Sequence, residues 1–250
     1  MKEKKEKILN LILPISAILA IVAVWSVASV MVDSEFILPS VTETFSALIK
    51  VLKNGLFYRA LLGTFLRSFI AFIVCFMLAT SLSVLSCKNR VASRLILPIM
   101  GIMRALPTIA VVLLLMLWTS SNVAPIIVTS LVVLPTIFTN VQNALLSIDK
   151  TVCEAAKVDG ADNKRVFLLI EVPLIKSSAL SAVGSGFSLN FKLMVAAEVI
   201  AQTAKSIGYM LTTSKAYFET GEMMALVCVA VIIGLVVEGI FNFLSRKARI

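Results

Sequence analysis

Residues 105–148 run forty-four positions without an Asp, Glu, Lys or Arg. A helix on the surface of a soluble domain needs a charged face opposite its apolar stripe, and this run has no residues to build one. It belongs in a bilayer, where a crossing helix takes about 20 mostly apolar residues. Forty-four residues are too many for one such helix and suit two, folded at the polar knot TSSNVAP over 119–125. The first of the pair is expected to begin earlier, near Leu95, giving spans of about 95–118 and about 123–146. Pro98 and Pro107 fall near the start of that first span, where a missing backbone donor kinks or breaks a helix.

Four more stretches have the same character. Residues 8–32 carry no charge and follow KEKKEK; the apolar run exceeds the 7–15 residues of a secretory h-region, so a retained first helix is expected. A second span is expected over about 60–87, a fifth over about 177–203, interrupted by Lys192 and Glu198, and a sixth over about 222–244, with Glu238 near its end. The chain therefore reads as a single all-α transmembrane domain over 1–250 with about six spans. A mean hydropathy of +1.00 and a charged fraction of 15% agree, since soluble domains carry about a quarter charged residues.

Orientation follows from the basic residues. Alternating the loops puts fifteen Lys and Arg on the side of both termini and only Lys50, Lys53, Arg59, Lys205 and Lys215 on the other. Positive loops stay in the cytoplasm, so both termini and the 149–176 loop are expected there. The net charge of +9 is accounted for in the same way. No basic patch is interleaved with stacking aromatics, so no nucleic-acid partner is expected. There is no histidine, the four cysteines have no paired spacing, and neither a metal nor a cofactor is expected. No catalytic set is present, so the chain is not expected to be an enzyme. No G-x-x-x-x-G-K-[ST] occurs, so it cannot cradle ATP phosphates in a P-loop.

The 149–176 loop is charged in an otherwise oily chain. Thr151-Val-Cys-Glu154 has capping-box spacing, Gly160 stands where a short helix would stop in a left-handed residue, and Asp162 can cap a second helix over about 163–171. That second helix should end at Val172, ahead of Pro173. Two roles fit this helix–turn–helix. It can lie on the membrane surface with its Lys and Arg on lipid phosphates, or it can dock into a groove of a partner.

Glu154-Ala155-Ala156, Gly160 and Val172-Pro173-Leu174 resemble the EAA loop of bacterial ABC-importer permeases. Further likeness lies in ILPS at 37–40, RALPTIAVVLLLMLW at 104–118 and VAAEVI at 195–200, which resemble the nitrate, sulfonate and taurine branch. The likeness covers nearly the whole chain. Val172 stands where that branch usually has Leu, and Phe191 where Trp is common. The resemblance implies a permease subunit of an importer in the bacterial cytoplasmic (inner) membrane. Its partners would be two cytoplasmic ABC ATPase subunits, a second copy of the permease as a homodimer, and an extracytoplasmic substrate-binding protein. ATPase coupling would fall to Glu154, Ala155, Ala156, Asp159, Gly160 and Ala161, with the small alanines allowing close packing. The substrate would be a small solute such as a sulfonate, nitrate or a vitamin precursor, carried by alternating access. A stand-alone secondary transporter is the alternative.

Ionisable residues inside spans must face protein or water. Lys192 and Glu198 lie about 240° apart around a helix and so are not an i,i+4 pair; either a structural ion pair or a gate fits them, and Asn190 could join either. Arg104, beside the Pro107 break, is a further pathway candidate. Ser177, Ser181 and Ser185, with Ala182 and Gly186, allow close helix approach, for packing, a dimer axis or a pathway wall. Outside, Ser40-Val-Thr-Glu43 repeats the capping-box spacing ahead of Val41, Phe45, Leu48, Leu52 and Leu56, an amphipathic helix expected at the outer interface.

Overall fold

A computed structural model describes residues 2–247. Met1 and residues 248–250, including Arg249 of the cytoplasmic basic set, lie outside the described residues. All regular structure among the described residues is helical, and the chain forms two compact units, Met1–Tyr58 with Met210–Cys228 and Arg59–Tyr209 with Val229–Ile250.

The first unit contains α1 (Lys2–Val32), α2 (Val41–Lys53), the start of α3 (Gly55–Lys88), the end of α10 (Ile207–Ala216) and the first part of α11 (Thr220–Lys247). Along Ile15–Val32 no residue of α1 is buried; apart from Ser16, Ser26 and Ser29 this span offers apolar side chains to its surroundings. The indole N–H of Trp25 ties it to the carbonyl of Pro39 at 3.0 Å. α2 begins in a complete capping box: the Glu43 N–H donates to Ser40 Oγ at 3.2 Å, and the Ser40 N–H donates to Glu43 Oε2 at 2.8 Å. Two orphan donors are thus satisfied reciprocally. Phe45 and Leu52 are exposed while Thr44 and Val51 are buried, the two-faced pattern of an interfacial helix. Leu56 falls beyond α2, whose last residue is Lys53; Asn54 intervenes and its side chain accepts the Leu56 N–H.

The second unit is built on α9 (Val172–Ala201), with the rest of α3, α4 (Arg90–Ala105), α5 (Thr108–Trp118), α6 (Ala124–Leu146), α7 (Lys150–Val158), α8 (Asn163–Val166) and the rest of α10 and α11. Val112 of α5, Val128 of α6 and Ala197 and Ala201 of α9 make one buried cluster. On another face of α9 the Phe187 ring packs on Phe65 and Phe72 of α3, with centroids 5.7 and 5.4 Å away. Ser177 Oγ donates to the Ser245 carbonyl and Ser181 Oγ to Asn242 Oδ1, both at 3.1 Å, joining α9 to α11.

Five helices are long and apolar enough to cross a membrane, and a sixth span results when α4 and α5 are counted as one, bent by 94°. The break falls at Pro107, which holds Leu106 in an extended conformation (φ −66°, ψ 126°). Pro98, in contrast, lies within α4 without ending it.

Two local expectations are corrected. α7 is not capped by Thr151: Asp149 caps it, accepting the Thr151 N–H at 2.9 Å. Asp is at least as good an N-cap as Thr, and starting there lengthens the helix by two residues, Lys150 and Thr151. The helix after Asp162 does not end at Val172. It passes through a π-helical turn, Phe167–Glu171, and runs on into α9, with the Val172 N–H donating to the Phe167 carbonyl in i→i+5 register. Widening the helix by one residue accommodates Pro173, whose missing N–H and ring would disrupt a regular α-turn.

Candidate functional site

The loop between α6 and α9 is a short capped structure that leaves its surface free. α7 ends in a Schellman motif: the Ala161 N–H donates to the Ala156 carbonyl at 2.9 Å and the Gly160 N–H to the Lys157 carbonyl at 3.0 Å. Gly160 supplies the left-handed residue, φ +88°, and a Cβ there would meet nothing within 4 Å. The glycine is required by backbone conformation and not by space. Ala156 and Ala161, half-buried, are the two positions that such a motif brings into apolar contact. Asp162 Oδ1 then accepts the Arg165 N–H at 2.8 Å and starts α8.

The candidate residues of this loop point outward. Glu154, Ala155, Asp159 and Gly160 are exposed, so close packing of Ala155 is not supplied by this chain itself. Val158 is 87% exposed and Leu169 72%, apolar area with no cover among the described residues. Among the described residues Glu154 caps no helix end. Its side chain lines a cavity of about 330 Å³ with Cys153, Lys157, Lys88 and Glu171. The Asp149 carboxyl is held below the ordinary aspartate range by the backbone hydrogen bond from Thr151.

The four candidate residues within the membrane do not form one site. Glu198 is fully buried near the end of α9, and its partner is Arg67 of α3, not Lys192. Arg67 Nε donates to Glu198 Oε1 at 2.8 Å, and Nη2 lies at the same distance from that oxygen. Thr64 Oγ1 donates to Oε2 at 2.7 Å and accepts the Ile207 N–H at 3.0 Å. Arg67 Nη2 also reaches the Lys205 carbonyl at 3.3 Å. Gly208 makes this closeness possible, because a Cβ there would fall 2.4 Å from the Glu198 Cβ. The sequence signal for this hub was only that an ionisable residue in a span needs a partner. The partner stands 131 positions away, beyond any local period.

Asn190, also fully buried, donates through Nδ2 to the Ser68 carbonyl at 2.7 Å. It ties α9 to α3. Arg104 is directed at α6, donating to the Pro135 carbonyl at 2.9 Å and to Thr139 Oγ1. Lys192 is exposed and has no ion pair or hydrogen bond among the described residues; its stem crosses Gly234 of α11. It belongs to a distinctive stripe. From residue 175 to 201, α9 exposes no large apolar side chain, and what it does expose includes Ser178, Ser185, Lys192 and Ala196. α11 over the same depth exposes Val231, Ile232, Leu235 and Val236, a face made for lipid.

Residues 78–250 match the family model described as binding-protein-dependent transport system inner membrane component. A probable ABC transporter permease protein of Brucella melitensis is 24% identical over 212 residues, covering 84% of this chain and 86% of that protein. A putative ABC transporter permease protein of Methanocaldococcus jannaschii is 22% identical over 248 residues, covering 97% and 91%. Among solved structures, the inward-facing MetNI methionine ABC transporter superposes with a TM-score of 0.68 at 18% identity, over 76% of this chain and 95% of that one. A bacterial alginate ABC transporter in complex with alginate pentasaccharide-bound periplasmic protein gives 0.64 at 15% identity, over 96% of each. At these identities the structures share the fold.

Proposed function

The chain belongs to the family of binding-protein-dependent transport system inner membrane components, the permease subunits of ABC importers, and on that premise we propose that it couples to a separate cytoplasmic ATPase through α7 and the Gly160 turn. Glu154, Ala155, Ala156, Asp159, Gly160 and Ala161 form the docking element. The observation that carries this is a loop rigidly capped at Asp149, Gly160 and Asp162 that nonetheless leaves Val158 uncovered. A floppy loop could not transmit force, and an uncovered apolar residue on a rigid one suits a groove.

The exposed stripe of α9 is the wall of the translocation pathway, shared with a second copy of the chain. A face of serines and a lysine would be costly against lipid and serves a water-filled path. Of the four in-membrane candidates Lys192 and Arg104 are exposed and keep a pathway role; Asn190 and Glu198 are buried in contacts within the chain. The solute is small, of the kind represented by sulfonates, nitrate or vitamin precursors, and is delivered by an extracytoplasmic binding protein to a permease in the bacterial cytoplasmic membrane.

The test is co-purification in detergent with the ATPase of the same importer. The wild-type permease is expected to bring the ATPase with it. Gly160→Arg is expected to lose the ATPase and transport while still inserting in the membrane. A Gly160→Arg permease that binds its ATPase normally sinks the docking role, and gradient-driven uptake by the purified chain alone would establish a secondary transporter instead.

A further inference from the structure

The first and last residues of the π-helical turn both meet the last residue of α3. Lys88 Nζ stands 4.1 Å from the centre of the Phe167 ring and 3.8 Å from Glu171 Oε2. An ammonium at that distance is attracted by the ring's negative face, so one cation holds two side chains four residues apart. The turn is where holding is needed. Its i→i+5 register is rare, occurs mostly as single turns within α-helices and is frequent at functional sites, and Pro173 withdraws a further donor just beyond it. It is therefore the break in regular helix between the Gly160 turn and α9.

Elsewhere the same two helices are already fastened. Asn190 bonds the Ser68 carbonyl, Phe187 packs on Phe65 and Phe72, and Glu198 pairs with Arg67. These contacts run antiparallel along α3 and α9, and Lys88 adds the missing fastening at the cytoplasmic end. We infer that Lys88 is a positioning residue for coupling: it splints the π-helical turn, so that displacement of the loop moves α3 and α9 as one body. This rests on α7 being the ATPase dock. With side chains 43% and 21% exposed, the contact is too wet to hold the fold, so its loss shows in motion and not in folding.

Pulsed EPR between nitroxides at the exposed Leu85 and Leu174 reads the splint directly. The four native cysteines are replaced first, and the permease is purified with its ATPase and measured with and without ATP and vanadate. The parent permease is expected to give one narrow distance in both states. Lys88→Glu, which sets two carboxylates together, is expected to widen the resting distribution and shift it on trapping, and Lys88→Glu/Glu171→Lys to restore the single distance. A Lys88→Glu permease that keeps one narrow distance throughout overturns the proposal, as does a charge swap that restores nothing. If the parent permease purifies without its ATPase, the docking role fails on its own account, and the resting 85–174 width in Lys88→Glu alone still decides the splint.

Discussion

α9 and the π-helical turn that leads into it are tied to α3 by two ion pairs, which differ in nearly everything but chemistry. At the outer end Glu198 is wholly buried, Arg67 is 15% exposed, and both carboxylate oxygens have donors within 2.8 Å. At the cytoplasmic end Lys88 and Glu171 stand 3.8 Å apart in partial solvent. A buried charge without its partner is costly because nothing else solvates it, whereas an exposed one is taken up by water. The outer end is thus committed to one geometry, whereas the contact at the π-helical turn is held by a solvated pair that contributes little to the stability of the fold.

The sharpest way to break this comparison is to strand Glu198. Arg67→Met is expected to cost about 3–5 kcal/mol, the usual penalty for breaking a buried pair, read as a large drop in the detergent melting temperature. Arg67→Met/Glu198→Leu should recover much of it, since no charge is left unpaired. A small loss in the single variant would show that the outer end is wetter than its burial implies.

A smaller effect is expected in the arm at Gly160. Gly160→Val forces a β-branched residue to φ +88° and should cost about 1–2 kcal/mol of local order, read as faster amide exchange at Gly160 and Ala161 positions. Gly160→Asn should be close to the parent, because Asn tolerates the left-handed region and a Cβ meets no neighbour there. The smallest effect concerns the cap of α7. The hydrogen bond from Thr151 lowers the Asp149 pKa on folding, so its contribution is complete above the ordinary aspartate pKa of 3.8 and is lost as pH falls through the lower folded value. Amide exchange at Thr151 should be flat from neutral pH down to that window, once corrected for intrinsic rates, and then rise; a rise already near pH 6 would show that Asp149 is not the cap.

The two Ser/Thr-x-x-Glu sequences show how far local pattern carries. Ser40 and Glu43 form the box that their spacing specifies. Thr151 and Glu154 do not, because Asp149 stands two residues earlier and is an equally good cap. Gly160 and Asp162 were legible since each acts on the backbone within three residues. The run-through at Pro173 was not, because the same proline can end a helix or be passed by a π-helical turn, and what lies beyond it, α9 packed on other helices, is not a local pattern.

The same limit separates α1 from α9. Both are apolar enough to span, yet Ile15–Val32 buries nothing while α9 is packed on α3, α5, α6 and α11. Hydropathy reports the length of a helix that lipid accepts, and with the prolines and glycines it let the sequence alone determine the spans, the Pro107 break and the turn at Gly160. Which face of α9 is packed and which stays polar, and which cation answers Glu198, only the tertiary structure decided, because those partners lie on other helices at separations that no helical period encodes.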